Sequence, residues 1–386
     1  MKIVHIITSL NQGGAEAMLE KLLLEGRRNH PDIEQSVISL RELGVVGPRL
    51  LGADFEVEAM HMQGVVGTLK GLANLVSRLR RLPRDTVVQT WLYHGDLLGG
   101  LAARIAGLRH VAWNLRVVIA RREVGAMTYR VVQMCARLSR TIPQIIVNCG
   151  PSTLASHVAM GYDAQRSRVI DNGFNTARFA PDAAASPALR ASLGFDDSHV
   201  VIGSVARLHP MKDYPTMANA AAIVCRNFPQ ARFLWVGADV DTDPELSALL
   251  RSLGIEGKVV RPGLRSDVVE LVNAMDVFCL PSRGEGFPNV LGEAMSCARP
   301  CVTTAAGDAG YLLEMPEWVV PIEQPDALAE ALGRMLALDP AARKAIGQRN
   351  RERILSRFSI KVSSDRYVAL YRSMLRDERA SAFTSS

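Results

Sequence analysis

Apolar and polar positions along the chain follow two alternating periods. Residues 2–8 (KIVHIIT) form a short β-branched apolar run, which predicts a buried strand. The turn Asn11-Gln12-Gly13-Gly14 follows, and residues 15–24 then repeat apolar residues at helical spacing. Strand-like runs recur at 35–40, 86–90, 110–114 and 144–148, with amphipathic helical patterns at 67–82 and 96–106. A second series starts at 200. It has strand signals at 200–205 (VVIGSV), 231–236, 259–261, 277–280 and 301–304, and helical signals at 215–225, 243–253, 266–274 and 288–297. Strands alternating with helices predict parallel sheets covered on both faces, so an α/β protein with two similar halves. The join falls near 172–194, where Asn172-Gly173, Pro181, Pro187 and the small-residue run DAAASPA (182–188) cluster. A last helical pattern, 361–376, places Tyr367 and Tyr371 one turn apart on one face. The polar, small residues 377–386 read as a fraying tail.

The chain has 386 residues, 48% hydrophobic, 22% charged and 5% aromatic. That excludes a disordered chain, a collagen and a disulfide-rich miniprotein. The six cysteines show neither disulfide nor zinc-ligand spacing, and Cys225 and Cys279 sit in apolar runs as small core residues. A reducing cytosol is the expected compartment. The first residues lack a small-residue cleavage site, and no run of about 18 uncharged apolar residues occurs, so neither a signal peptide nor a membrane span is expected.

Charge changes the picture. The net +6 is uneven: residues 1–170 carry 21 basic and 13 acidic residues, the remainder 24 and 26. Between residues 78 and 140 stand 12 arginines against Asp85, Asp96 and Glu123. Such a stretch suits a polyanionic partner or an anionic membrane surface, and equally a solvated basic face. Residues 127–138 (MTYRVVQMCARL) alternate apolar and basic residues at helical spacing. They read as a peripheral lipid-binding helix, or as a helix whose Val131, Val132 and Cys135 pack in the core. Nucleic acid is a poorer partner, because no basic motif interleaved with aromatics appears.

Candidate chemistry concentrates at 281–307, PSRGEGFPNVLGEAMSCARPCVTTAAG. A buried strand leads into the loop Ser282-Arg283-Gly284-Glu285-Gly286, and Pro288 suits the first turn of the next helix. In open parallel sheets, ligands bind at the carboxyl ends of strands, and a helix N-terminus there favours an anion. Glu285 lies in the loop and Glu293 just over two turns into the helix, so the two carboxylates can address different parts of one ligand. Alone, that spacing also fits a capping glutamate and a solvated one. After the 200–205 strand come Arg207 and Lys212, a guanidinium fork and a point charge that suit a diphosphate. The first-strand turn around Gly13 and Gly14 is not the Gly-x-Gly-x-x-Gly of a dinucleotide site. The aspartates of Asp239-Val240-Asp241-Thr242-Asp243 read as a solvated turn, with Asp243 capping the next helix, and no metal cluster is visible.

These blocks resemble glycosyltransferase family 4, retaining nucleotide-sugar transferases of the GT-B architecture. The resemblance rests on GEGFPNVLGEAMSCARPCVTTAAG, on Asn11-Gln12-Gly13-Gly14-Ala15-Glu16, and on Val169-Ile170-Asp171-Asn172-Gly173-Phe174-Asn175 with Arg178-Phe179. It extends to Gly203-Ser204-Val205-Ala206-Arg207-Leu208 with Lys212-Asp213, and to Asn273-Ala274-Met275-Asp276-Val277. The matches keep their order from residue 1 to about 360.

The resemblance implies two Rossmann-like parallel-sheet domains facing a cleft. Residues 1–175 would bind the acceptor and 195–360 the nucleotide sugar, with a C-terminal helix, about 361–380, packing back on the first domain. It implies that Arg207 and Lys212 bind the donor phosphates and that Glu293 binds the ribose hydroxyls. Glu285 would stand by the donor sugar, as nucleophile or as electrostatic support. The backbone of Gly286, Phe287, Pro288 and Asn289 would touch sugar and phosphates. Gly13 and Gly14 would approach the donor phosphates, closing over them as the domains close. His94, in TWLYHGD, falls where relatives place a polar residue near the reacting sugar; it reads equally as structural, and Asn114 is a weaker candidate. Asp213 stands where glycine is common. Neither cofactor nor metal is implied.

The implied activity is transfer of a hexosyl or N-acetylhexosaminyl unit, from UDP in preference to GDP, to a lipid-linked saccharide or glycolipid in bacterial surface polysaccharide synthesis. The expected location is cytoplasmic, at the inner face of the membrane. The alternatives are a GT-B transferase for a small soluble acceptor, such as a sucrose-type synthase, and a non-catalytic nucleotide-sugar-binding protein.

Overall fold

The computed structural model describes residues 1–118, 125–182 and 186–383. Arg121, Arg122 and Glu123 of the basic stretch, and part of the 182–188 run, lie outside them. The chain divides into two units, Met1–Gly173 with Ile360–Ser386, and Phe174–Ser359.

The first unit holds seven parallel strands: β1 (Lys2–Ile7), β2 (Glu34–Ser39), β3 (Glu56–Ala59), β4 (Val87–Trp91), β5 (Val111–Leu115), β6 (Ile145–Asn148) and β7 (Ser167–Val169). Their order is β3-β2-β1-β4-β5-β6-β7. The second unit holds six: β8 (Val200–Val205), β9 (Ala231–Val236), β10 (Val259–Gly263), β11 (Val277–Leu280), β12 (Cys301–Thr304) and β13 (Val319–Val320). Their order is β10-β9-β8-β11-β12-β13. The predicted α/β class is the observed one. The strands that the sequence did not predict are β3, β7 and β13.

In each sheet the winding reverses once, between β1 and β4 and between β8 and β11. The helices therefore cover both faces. In the first unit Val4, Ile6, Val88 and Trp113 pack with Leu75, Leu79, Ala102 and Val132 on one side. Their strand neighbours Ile3, Ile7, Val87 and Ala112 pack with Leu19, Leu22, Tyr367 and Tyr371 on the other. This alternation is the two-residue period of a strand, used on both sides. The final helix, Ile360–Phe383, is thus part of the first unit's core, where the Tyr371 hydroxyl donates to Gln89 Oε1 (3.1 Å).

Residues 96–106 do not begin their helix at Asp96. Leu92 adopts φ 65°, and the backbone turns straight from β4 into the helix Leu92–His94, a π-helical turn Gly95–Gly99 and the helix Gly100–Ala106. A left-handed leucine is strained and has no sequence signature.

Three histidines are buried in the first unit, and His5 and His157 are the two that burial shifts. His5 Nδ1 accepts from Trp91 Nε1, and its Nε2 meets Gln35 Oε1, both at 3.2 Å. His157 bonds the Thr153 carbonyl (2.7 Å) and the Tyr93 hydroxyl (3.0 Å). Burial pulls both pKa values down to about 4. Above pH 6.5 both states hold neutral rings. Below it the unfolded chain takes protons that the fold refuses until about pH 4. Stability should therefore fall between pH 6.5 and 4, by about 2 kcal/mol per histidine at pH 5. Denaturant unfolding at pH 7 and pH 5 checks this: His157→Gln should flatten the loss, and an unchanged slope refutes it.

Candidate active site

Where the winding of a parallel sheet reverses, loops leave adjacent strands in opposite directions and open a crevice at their carboxyl ends. Arg207 and Lys212 follow β8; Ser282 and Glu285 follow β11. The fold therefore brings these predicted residues of the second unit together at its reversal point.

The loop after β8 is held by its backbone. Ala206 N donates to Val236 O (2.9 Å) and Leu208 N to Ala238 O (2.8 Å). The buried Tyr214 hydroxyl donates to Ala206 O (2.6 Å). On the other side lies Gly237, where a Cβ would stand 1.9 Å from that carbonyl. Between these fixed neighbours Arg207 is exposed, and its side chain has no partner among the described residues. The chain then makes a short turn, Pro210–Lys212, whose Met211 N–H is capped by His209 Nδ1 (3.2 Å). Asp213, left-handed at φ 51°, caps the next helix through the Thr216 N–H. Its role here is the cap.

Lys212 Nζ reaches Glu285 Oε1 at 2.6 Å, and Ser282 Oγ donates to the same oxygen at 2.7 Å. The Glu285 side chain is 10% exposed and that of Lys212 25%. Both cationic and hydroxyl donors thus fix one oxygen of the carboxylate. The loops that carry the pair are tied by main chain: Met211 O accepts from Arg283 N (2.9 Å). A third loop closes on them from β12. Asp308 N donates to Gly286 O (3.0 Å), and Gly307, at φ 53°, lies so close that a Cβ would be 2.1 Å from Glu285 O.

The helix after this loop spans Asn289–Ser296, with Pro288 as its N-cap residue rather than in its first turn. Its first amides carry no side-chain cap. The Phe287 ring is buried, stacked on Phe174 (6.1 Å) and tilted against Phe358 (5.9 Å), so only its backbone faces the loop. Glu293 is half-buried within the helix. Asp243 caps the helix Pro244–Ser252 through Leu246 N, as a turn residue.

Gly13, Gly14 and His94 belong to the first unit and flank its own reversal point, after β1 and β4. Gly13 is the extended N-cap of the helix Gly14–Asn29. The Glu16 carboxylate folds back on it, with Oε2 2.4 Å from where a Gly13 Cβ would be. Burial raises the Glu16 pKa. His94 is lowered by burial and by the nearby Arg41 guanidinium. Beneath it, the fully buried Asp96 accepts from Thr90 Oγ1 (2.5 Å) and Asn114 N (3.3 Å), and burial raises its pKa well above the carboxylate range. Sequence reading missed Ser282, Tyr214, Gly307, Glu16 and Arg41. Ser282, Glu16 and Gly307 lay inside quoted motifs, and Arg41 follows a predicted strand at 35–40, the one signal that pointed to it.

Residues 199–338 match the family model described as Glycosyl transferases group 1. Over 324 residues, 80% of this chain and 81% of the relative, the chain is 25% identical to an Escherichia coli UDP-Gal:alpha-D-GlcNAc-diphosphoundecaprenol alpha-1,3-galactosyltransferase. It is 29% identical to the D-inositol 3-phosphate glycosyltransferase of Saccharomonospora viridis, over 57% of this chain and 54% of that one. The crystal structure of Anabaena HepE in complex with UDP superposes with a TM-score of 0.84 at 22% identity, over 97% of this chain and 100% of that one. The matched stretch and the fold support a GT-B glycosyltransferase. The model match falls on the unit that carries Arg207, Lys212, Glu285 and Glu293.

Chemically, this loop cluster can hold an anion. An exposed guanidinium and an ammonium stand in loops at one reversal point, the ammonium on a carboxylate whose orientation is fixed, and a helix begins just after that loop. Among the described residues, no group of three or more His, Cys, Asp or Glu is placed to hold a metal ion.

The packing of Gly307 against Glu285 gives a direct test. Gly307→Ala should destabilise the protein by about 1–3 kcal/mol through the left-handed backbone and the clash. Thermal unfolding checks this; a wild-type value would refute the assigned packing.

Proposed function

We propose that the protein is a retaining glycosyltransferase. It takes a hexosyl or N-acetylhexosaminyl unit from a nucleotide sugar, a UDP sugar before a GDP sugar, and passes it to a lipid-linked saccharide or glycolipid of bacterial surface polysaccharide synthesis. The observation that carries this is the Lys212–Glu285–Ser282 cluster beside the unpaired Arg207, all at the reversal point of one sheet. The E. coli relative, whose name gives a UDP-galactose donor and a diphosphoundecaprenol acceptor, supports the donor and acceptor classes.

In this reading Arg207 and Lys212 take the diphosphate, the helix N-terminus at Asn289 adds its dipole, and Glu293 takes the ribose hydroxyls. The bond between the anomeric carbon and the diphosphate oxygen breaks, and the electron pair leaves with the nucleotide. The cations stabilise that growing negative charge, the form of catalysis that fixed charges serve best. With those charges in place the reading needs no metal ion. The acceptor hydroxyl oxygen forms the new bond, and its proton goes to the departing phosphate oxygen. Glu285 supports positive charge at the anomeric carbon. Lys212 holds its carboxylate oriented until the diphosphate competes for the same ammonium.

The basic stretch supports docking on an anionic membrane. On the helix Ala126–Leu138, Val132 and Cys135 are buried in the core, while Met127, Arg130, Met134 and Arg137 are exposed at helical spacing on another face. The core reading of residues 127–138 holds for Val132 and Cys135, and the proposed lipid contact would use the other face. On the helix Gly64–Arg80, which packs in the same core cluster, Val65, Val66 and Leu69 are exposed beside Lys70. Among the described residues no helix is long and apolar enough to cross a membrane.

A thermal-shift screen of UDP, UDP sugars and GDP sugars tests the donor. A ligand at one hundred times its dissociation constant stabilises by about 2.7 kcal/mol. Wild type should respond to UDP and Arg207→Ala should not. Glu285→Gln should keep UDP binding and lose at least about a hundredfold in transfer. Donor binding without turnover in wild type would favour the non-catalytic reading, and no response to any nucleotide would remove the donor site. Vesicle sedimentation tests the membrane: Arg130→Glu with Arg137→Glu should release the protein from anionic vesicles, and equal binding to neutral vesicles defeats the docking surface.

A further inference from the structure

The first unit carries a second cation on its ligand-binding edge that the reading above leaves unused. Arg116 lies immediately after β5, at the carboxyl end of the sheet, and is half-buried. Its Nη1 donates to Asn114 Oδ1 and to the Tyr367 hydroxyl, each at 3.4 Å, and its Nη2 to Asn172 Oδ1. The guanidinium carbon stands 5.4 Å from the centre of the Trp91 ring. Asn114 Nδ2 in turn donates to the same Tyr367 hydroxyl (3.0 Å), so Asn114, Tyr367 and Arg116 form one network. Asn114, Tyr367 and Asn172 are buried.

Every partner in this cradle is neutral. Arg116 has no carboxylate partner among the described residues. The nearby carboxyls are occupied in other ways. Asp171 pairs with Arg366 (3.2 Å). Asp96, joined to the same network through Asn114 N, has its pKa raised well above the usual carboxylate range by its burial. Desolvating a charge costs free energy that a counter-charge would offset. The described residues supply none, while they fix the orientation of the fork by three bonds and an aromatic face. Such a fork is shaped for a phosphate.

We propose that Arg116 is an anion-binding residue that takes a phosphate group of the acceptor, and that Tyr367, from the C-terminal helix, is the positioning residue that aims it. The acceptor assignment rests on the transferase reading above. The anion site itself rests on the cradle alone.

Calorimetry on the full chain, with UDP at saturation to fill the second unit's site, tests this with three probes: an alkyl diphosphate ester of N-acetylglucosamine, the matching alkyl glycoside without phosphate, and inorganic pyrophosphate. Wild type should bind the ester at least tenfold tighter than the glycoside, and tighter than pyrophosphate. Arg116→Gln should close the gap between ester and glycoside while leaving the glycoside and UDP unchanged. Tyr367→Phe should narrow the gap about threefold by the same selective route, which a general loss of structure would not do. If Arg116→Gln does not fold, Arg116→Lys keeps the charge without the fork and should weaken the ester alone. An undiminished gap in the arginine variant overturns the proposal. Pyrophosphate bound through Arg116 as tightly as the ester overturns the acceptor assignment. Failure of the donor reading is seen separately, as absent UDP binding in wild type, and the Arg116 comparison then runs without UDP.

Discussion

A parallel sheet wound outward in both directions from its middle cannot fill the gap where the winding turns. The helices that leave the two central strands diverge to opposite faces, and the loops above those strands are left with open backbone groups. The rest of this structure depends on that constraint. Both sheets obey it, between β1 and β4 and between β8 and β11, and nearly every residue with a chemical claim lies in the loops beside one of the two gaps. The strands themselves contribute mostly apolar side chains. They are rigid supports, and the loops are the variable part.

In the second unit the gap is bordered by loops that brace one another. Main-chain bonds join the Met211 loop to Arg283 and the Asp308 amide to the Glu285 loop, and the Tyr214 hydroxyl holds the carbonyl before Arg207. Backbone entropy of these loops is lost at folding rather than at binding, while the exposed Arg207 side chain is left to be ordered by a ligand. In the proposed reaction the Lys212–Glu285 pair also changes, because an incoming anion competes with the carboxylate for the ammonium. The charge on Glu285 is then less balanced in the complex than in the free protein, which makes the carboxylate a stronger partner for a developing cation.

The central strands were legible because burial on both faces makes them continuous apolar runs. Three of the four edge strands, β3, β7 and β13, were not. β3 reads EVEA, and its two glutamates find a partner only across the fold, in Arg78. β7 and β13 are three and two residues long, too short to show a period. The cluster around Glu285 was legible because its residues are contiguous or follow a predicted strand. Ser282, Tyr214 and Arg116 were not, because their roles come from neighbours distant in the chain: Ser282 aims a carboxylate, Tyr214 holds a carbonyl and Arg116 lies in a cradle closed by Asn172 and Tyr367. Leu92 could not be read at all, since nothing in a leucine announces a positive φ.

The last helix bears on how the protein is made. Its Tyr367 and Tyr371 complete one of the two hydrophobic layers of a sheet whose strands all precede residue 170. A ribosome therefore releases the seven strands of the first unit long before the layer that covers one of their faces. The intervening residues, Phe174–Ser359, form a unit with a sheet of their own and have what they need to fold while the first unit waits. Until residues 360–376 arrive, that sheet presents part of an apolar face to solvent, and nascent chains of this kind depend on chaperone cover or on slow synthesis to escape aggregation.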